Sequence, residues 1–202
     1  ARLSLFRLQE HSVSDECIFH ALETLDKASL MLCEGRFMDL EAQERIDLTI
    51  EKYLLMASRK TGALYSCAMK LGGFIAQAGE EIVEQLGTVG EKLGVAVQIS
   101  SELKVLWGES SSPQALNKNK LLAIVHAMEN GTIREKRRLG DIYFKRVLEQ
   151  QDVVKLRAIA DDFGSKKFCE GLINEYRDES VDSLKKIGLD SKYIVSWIDS
   201  LL

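Results

Sequence analysis

The 202-residue chain carries 46% hydrophobic residues, a single proline and a net charge of −4 at neutral pH. That apolar content excludes a disordered chain, and the scarcity of proline, which breaks helix interiors, favours a mostly helical one. The mildly acidic balance argues against nucleic acid as the main partner but leaves room for a local basic pocket.

The length suits one domain over 1–202. Residues 2–10 read as the tail of a helix, with Leu3, Leu5, Phe6 and Leu8 on adjoining faces. The chain has no initiator Met and opens within this helix, as a fragment would; a signal-peptide cleavage site is not visible. HSVSDE breaks the helix, and Ser14 or Asp15 can cap the next one. There Ile18, Ala21, Leu22, Leu25, Ala28 and Leu32 recur at helical spacing, and the stripe continues through Gly35 toward Leu40. A second long region, 42–79, buries Ile46, Ile50, Tyr53 and Leu54. It then becomes rich in small residues (Ala57, Ser58, Gly62, Ala63, Ser66, Gly72, Gly73), which allow close approach by a helix or ligand. Gly79 is expected to end it. A helix over 80–107 follows, then a loop, ESSSPQALN, from 109. Helices are predicted at 117–130, 133–148, 152–163, 165–187 and 190–202, with Gly131, Gly164 and Gly188 as left-handed helix ends. No convincing strand pattern appears, so the fold class is all-α, a bundle of long helices.

Cys17, Cys33, Cys67 and Cys169 form no CxxC pair and read as reduced thiols of a cytoplasmic protein. With His11, His20 and His126 they give no zinc-ligand spacing, and no apolar run reaches the ~20 residues of a membrane span. Lys60-Thr61-Gly62 lies among small residues, and Lys60 has no acidic neighbour one turn away. On spacing alone it reads first as a lysine that snorkels to solvent, and second as an anion site of ammonium plus hydroxyl. Lys118 and Lys120 read as a solvated basic turn, or as an anion pocket at a helix start. Glu34 and Asp39 flank Gly35 as surface carboxylates or as supports of a site. Asp161-Asp162 lacks the third acid of an aspartate motif and is expected to solvate a helix end.

Four stretches carry a more specific signal: CEGRFMDL, YLLMASRKTGALYSCAMKLGG, LGVAVQISSELKVLWGE and ALNKNKLLAIVHAMENG. Their order and approximate spacing resemble the trans-isoprenyl diphosphate synthases, the polyprenyl synthetase family, along nearly all of the chain. They correspond to its CEGQ-x-x-D element, its Lys-Thr helix, its Gln-x-x-Asp-Asp-x-x-Asp helix and its Asp-Leu-x-x-x-Lys element. The resemblance implies a helical bundle around a central cavity, of which this chain is the C-terminal two thirds, without the N-terminal helices. It implies a homodimer, or a heterodimer with a related subunit. It implies an allylic diphosphate held by Mg²⁺ between two Asp-rich motifs and attacked by isopentenyl diphosphate. By position, Lys60 and Thr61 match the Lys-Thr pair, Gln98 the glutamine of the second motif, Lys120 a lysine reaching the allylic diphosphate, and Glu34 and Asp39 supporting positions.

The departures are specific. Arg36 stands for glutamine, and Ala115 for an aspartate. Ser101, Glu102 and Val105 stand where the second motif has three aspartates; the first motif would lie upstream of Ala1. Glu102 is then the main metal-ligand candidate, with Ser101 as a weak neutral one. Three functions follow: a prenyltransferase with an altered second motif, a non-catalytic subunit of a heteromeric prenyl diphosphate synthase, or an isoprenoid- or lipid-binding helical protein. Elongation through the altered motif is expected to be slowed about a hundredfold or more.

Overall fold

The computed structural model describes the chain apart from residues 1, 12, 44, 46, 109–118, 146, 190 and 191. Helices run Arg2–Phe6 (α1), Asp15–Gln43 (α2), Ile50–Ala57 (α3), Ala63–Ile75 (α4), Glu80–Trp107 (α5), Leu122–Asn130 (α6), Ile133–Tyr143 (α7), Gln150–Asp162 (α8), Ser165–Lys186 (α9) and Lys192–Leu201 (α10). A 3-10 turn, Arg7–His11, follows α1, and a π-helical segment, Ser58–Gly62, joins α3 to α4. The fold is all-α: no strand occurs among the described residues.

Side-chain caps set several helix starts. The Ser14 hydroxyl accepts from the Cys17 N–H ahead of α2, and Thr49 accepts from the Lys52 N–H ahead of α3. The buried face of α2 carries Ala21, Ala28, Gly35 and Ala42 at seven-residue spacing, with Ile18 and Asp39. Leu22, Leu25 and Leu32, expected on that face, are only half-buried, because α2 meets its neighbours through small residues. A Cβ at Gly35 would lie 2.5 Å from the Lys60 nitrogen.

Helix α5 is the centre of the bundle, packed against α4, the π segment and α9. Its first half joins Val89 and Leu93 to Val181, Leu184 and Ile198. Its second half joins Val95, Ile99 and Leu106 to the main core, with Tyr53, Met56 and residues of α6–α9. The small residues of α4 and the π segment serve close helix contact: Cβ atoms at Gly90 and Gly94 would meet Tyr65 O at 2.5 Å and Gly62 Cα at 2.7 Å. Gly94→Ala is therefore expected to cost roughly 1–3 kcal/mol, since backbone must move apart; a lowered urea midpoint would report it.

Several boundaries differ from expectation. Gly164 and Gly188 are left-handed, with φ of 63° and 75°, but Gly131 is extended. The chain there must enter Thr132 in extended form, because Thr132 starts α7 with a capping box to Glu135. Helix α4 stops at Ile75, Gln77 takes the left-handed position, and Gly79 instead precedes α5 as its N-cap. Helix α7 ends at Tyr143 rather than 148. A second capping box, between Glu149 and Asp152, starts α8 at Gln150, and the buried Asp152 also accepts from Lys145 Nζ at 2.6 Å. The expected start of α6 at 117, with Ala115 and Lys118, lies outside the described residues.

Candidate functional site

A π-helical turn accommodates one residue more than an α-turn, and such turns often mark functional positions. Here it carries Ser58-Arg59-Lys60-Thr61-Gly62, gripped between α2 and α5. Lys60 and Thr61 line a cleft of about 250 Å³ together with Asp39 from α2, Gln98, Ser101, Glu102 and Val105 from α5, and Asn119 and Lys120 ahead of α6. Residues from well-separated parts of the chain thus meet at one place.

Lys60 does not simply snorkel. Its Nζ lies 2.9 Å from Asp39 Oδ2, a carboxylate 2% exposed that also receives Arg36 at 2.6 Å. The partner missing from its own helix comes from α2. Lys120 is also 2% exposed. Its Nζ donates to the Gln43 carbonyl at 3.0 Å and sits 3.6 Å above the Tyr143 ring. Burying an ammonium is costly and needs partners of this kind. A buried lysine at the wall of a cleft is therefore a functional signal. Three cations (Arg36, Lys60, Lys120) face two carboxylates, giving a basic spot on an acidic protein.

A hydrogen-bond chain crosses the floor. The Thr61 hydroxyl donates to Gln98 Oε1 at 2.5 Å. Gln98 Nε2 donates to the Tyr53 hydroxyl and to Glu102 Oε1, each at 3.2 Å. Tyr53 donates to Glu102 Oε1 at 2.5 Å, and the Leu122 N–H donates to Glu102 Oε2 at 2.8 Å. Burial pushes the Glu102 carboxyl up to about 7, while Tyr53, the Leu122 N–H, Gln98 and Lys60 pull it back down. The Tyr53 phenol is held well above its usual range by burial, with Glu102 beside it.

The donor set does not fit a resident magnesium ion. Magnesium wants several hard oxygen ligands. Val105 supplies none, Ser101 a neutral hydroxyl, and both Glu102 oxygens already accept from protein donors. Asp39 is engaged by Lys60 and Arg36. Among the described residues, no three His, Cys, Asp or Glu side chains converge as a metal group.

Of the predicted site residues, Asp39, Lys60, Thr61, Gln98, Ser101, Glu102 and Lys120 come together. Glu34 does not line the cleft; it pairs with Arg59 on the outer side of the π segment. Sequence reading missed Gln43, Asn119 and Tyr143 as site residues, and took Tyr53 only as core. A phenol on a buried helix face needs a hydrogen-bond partner, which was the available signal for Tyr53. A larger cavity of about 650 Å³ lies between α2, α4 and α5; its wall mixes Ala28, Met31, Ala63, Cys67 and Phe74 with the charged Glu23, Lys27, Lys70, Glu80, Glu84 and Glu91. It begins at Ala63, one residue beyond the π segment. No helix among the described residues is long and apolar enough to cross a membrane.

The sequence matches the polyprenyl synthetase family model over residues 3–160. It is 25% identical to the geranylgeranyl diphosphate synthase of Saccharolobus solfataricus, over 80% of this chain and 50% of that protein. It is 27% identical to the geranylfarnesyl diphosphate synthase of Aeropyrum pernix, over 89% of this chain and 57% of that one. The fold is similar to the crystal structure of geranylgeranyl pyrophosphate synthetase from Pyrococcus horikoshii, with a TM-score of 0.78 and 28% identity, covering 93% of this chain and 60% of that one. The chain thus spans about half the length of the curated relatives it matches.

Proposed function

Because the chain belongs to the polyprenyl synthetase family, we propose that its cleft holds the diphosphate of an allylic substrate in a prenyltransferase of the isoprenyl diphosphate synthase type. The observation that carries this reading is the convergence of Lys60, Thr61, Gln98 and Lys120 on one small polar cleft. A diphosphate is multiply anionic, and charge-assisted hydrogen bonds from two lysines hold it at about 1.5–3 kcal/mol each. The same ammonium groups stabilise the charge that grows on the departing diphosphate as the allylic C–O bond ionises. Isopentenyl diphosphate is the acceptor. The chain forms the C-terminal part of one helical domain, in a cytoplasmic dimer. Magnesium, where it takes part, is held by carboxylates other than those of this cleft.

A second reading, a non-catalytic subunit paired with an intact homologue, is favoured by one observation. The acid left in the altered motif, Glu102, spends both oxygens on Tyr53, Gln98 and the Leu122 N–H. The deciding assay uses the complete gene product with labelled isopentenyl diphosphate, a panel of allylic diphosphates and magnesium. Elongated product supports the enzyme. Silence overturns it, and activity or altered product length on adding an intact homologue supports the subunit.

Restoring carboxylates tests the same site. The double substitution Ser101→Asp, Val105→Asp places two acids on the cleft wall, one turn apart. Pyrophosphate binding by this variant is expected to become magnesium-dependent, by about tenfold or more. Calorimetric titration with and without the ion measures it.

A further inference from the structure

Resting on the diphosphate reading above, we infer that Glu102 is a positioning residue: it fastens the Thr61 side of the cleft to the Lys120 side, so that the cleft binds diphosphate without a divalent ion. The two sides belong to different segments, the π turn after α3 and the stretch 119–121 ahead of α6. Glu102, on α5 between them, bonds toward both. Its Oε2 takes the Leu122 N–H at 2.8 Å, two residues beyond Lys120. Its Oε1 takes Gln98 Nε2 at 3.2 Å, and Gln98 in turn receives the Thr61 hydroxyl at 2.5 Å. Tyr53, fully buried, closes the arrangement on Oε1 at 2.5 Å.

The residue type follows from this geometry. Three donors converge on the group, so it must accept on both ends, as a carboxylate does and an amide does not. Aspartate is one methylene too short to span from α5 to both Gln98 and the Leu122 N–H. Where aspartates would bridge two sides of a cleft through a shared cation, a direct carboxylate tie does so here. The two ammonium groups supply the positive charge. Lys60 keeps its lateral partner in Asp39, and Lys120 its place over Tyr143.

Inorganic pyrophosphate is the probe, titrated calorimetrically into the complete gene product in EDTA and in excess magnesium. The expected result is the same affinity in both buffers. Glu102→Gln and Glu102→Asp are expected to weaken binding about tenfold in both. Glu179→Gln, on α9 where it pairs with Lys92 of α5 outside the cleft, is expected to change nothing. A double-mutant cycle with Lys120→Met separates positioning from general weakening. If Glu102 acts through Lys120, Glu102→Gln adds little in the Lys120→Met background; a merely structural loss adds in full. Binding that requires magnesium, a Glu102→Gln variant of undiminished affinity, or an additive cycle each overturns the inference and leaves the diphosphate reading standing. No pyrophosphate binding in either buffer overturns both.

Discussion

Lys120→Met is expected to weaken pyrophosphate binding by about tenfold to a hundredfold and to change the stability of the protein far less. The two effects have one origin. Lys120 is almost wholly buried, and the contacts that hold its ammonium include a carbonyl and an aromatic face. Methionine fills similar volume without the desolvation cost, which offsets the contacts it loses. Lys60→Met differs, because it removes one of two cations from Asp39 while Arg36 remains at 2.6 Å. Together the two substitutions are expected to remove about 3–6 kcal/mol of binding, on the order of 10²–10⁴ in affinity. Calorimetry alongside urea unfolding reads both quantities. A double variant that still binds as the parent does would place the anion elsewhere.

The second large effect concerns pH. Glu102 titrates near 7 in the folded protein and near 4.5 when exposed. Between these values the native state keeps a proton that the unfolded chain has released. The contribution is therefore full below about 4.5 and is lost as pH rises through about 7, where it levels off. The shift is on the order of 3 kcal/mol. His126 works in the opposite sense: burial lowers its pKa, so it favours the native state as pH rises. Asp152, lowered by Lys145 first and by the Glu149 N–H second, acts below the ordinary carboxylate range. Urea midpoints across about pH 4 to 8 should thus fall more steeply with pH in the parent than in Glu102→Gln, and the difference between the two curves isolates this one carboxyl. Identical curves would mean that Glu102 is ionised throughout.

Much of the fold was legible because its cues are local. The Ser14 cap ahead of α2, the glycines at 164 and 188, and the absence of alternating pattern needed no knowledge of neighbours. What failed depended on competition between adjacent elements. Gly131 looked like a helix end, but Thr132 claimed the extended geometry that its own capping box requires. The leucines of α2 looked like core, yet the partner helices approach its alanines and glycine instead. At the site, the resemblance placed Lys60, Thr61, Gln98, Glu102 and Lys120 in one family of positions, and the geometry brings these side chains into one cleft. The partners of those residues were not legible. Asp39 for Lys60, Tyr143 for Lys120 and the Leu122 N–H for Glu102 are contacts across elements, and no periodicity in one strand of sequence encodes them. The π turn was equally hidden, since SRKTG is compatible with an ordinary helix.

That turn constrains how the chain can change length. Each residue of an α-helix advances about 100° around the axis, and α3, the π segment and α4 run on without interruption. Deleting one residue between 58 and 62 would relax the wide turn into a regular one. Because the wide turn already absorbs one extra residue, Tyr53 before it and Cys67 and Gly73 after it would keep their faces, and the displaced positions would be Arg59, Lys60 and Thr61 within it. A deletion in the regular turns of α3 or α4 has no such slack and would turn one part of the helix against the other by about 100°. Loss of one residue from 58–62 is thus expected to spare the packing of the bundle and to cost the cleft.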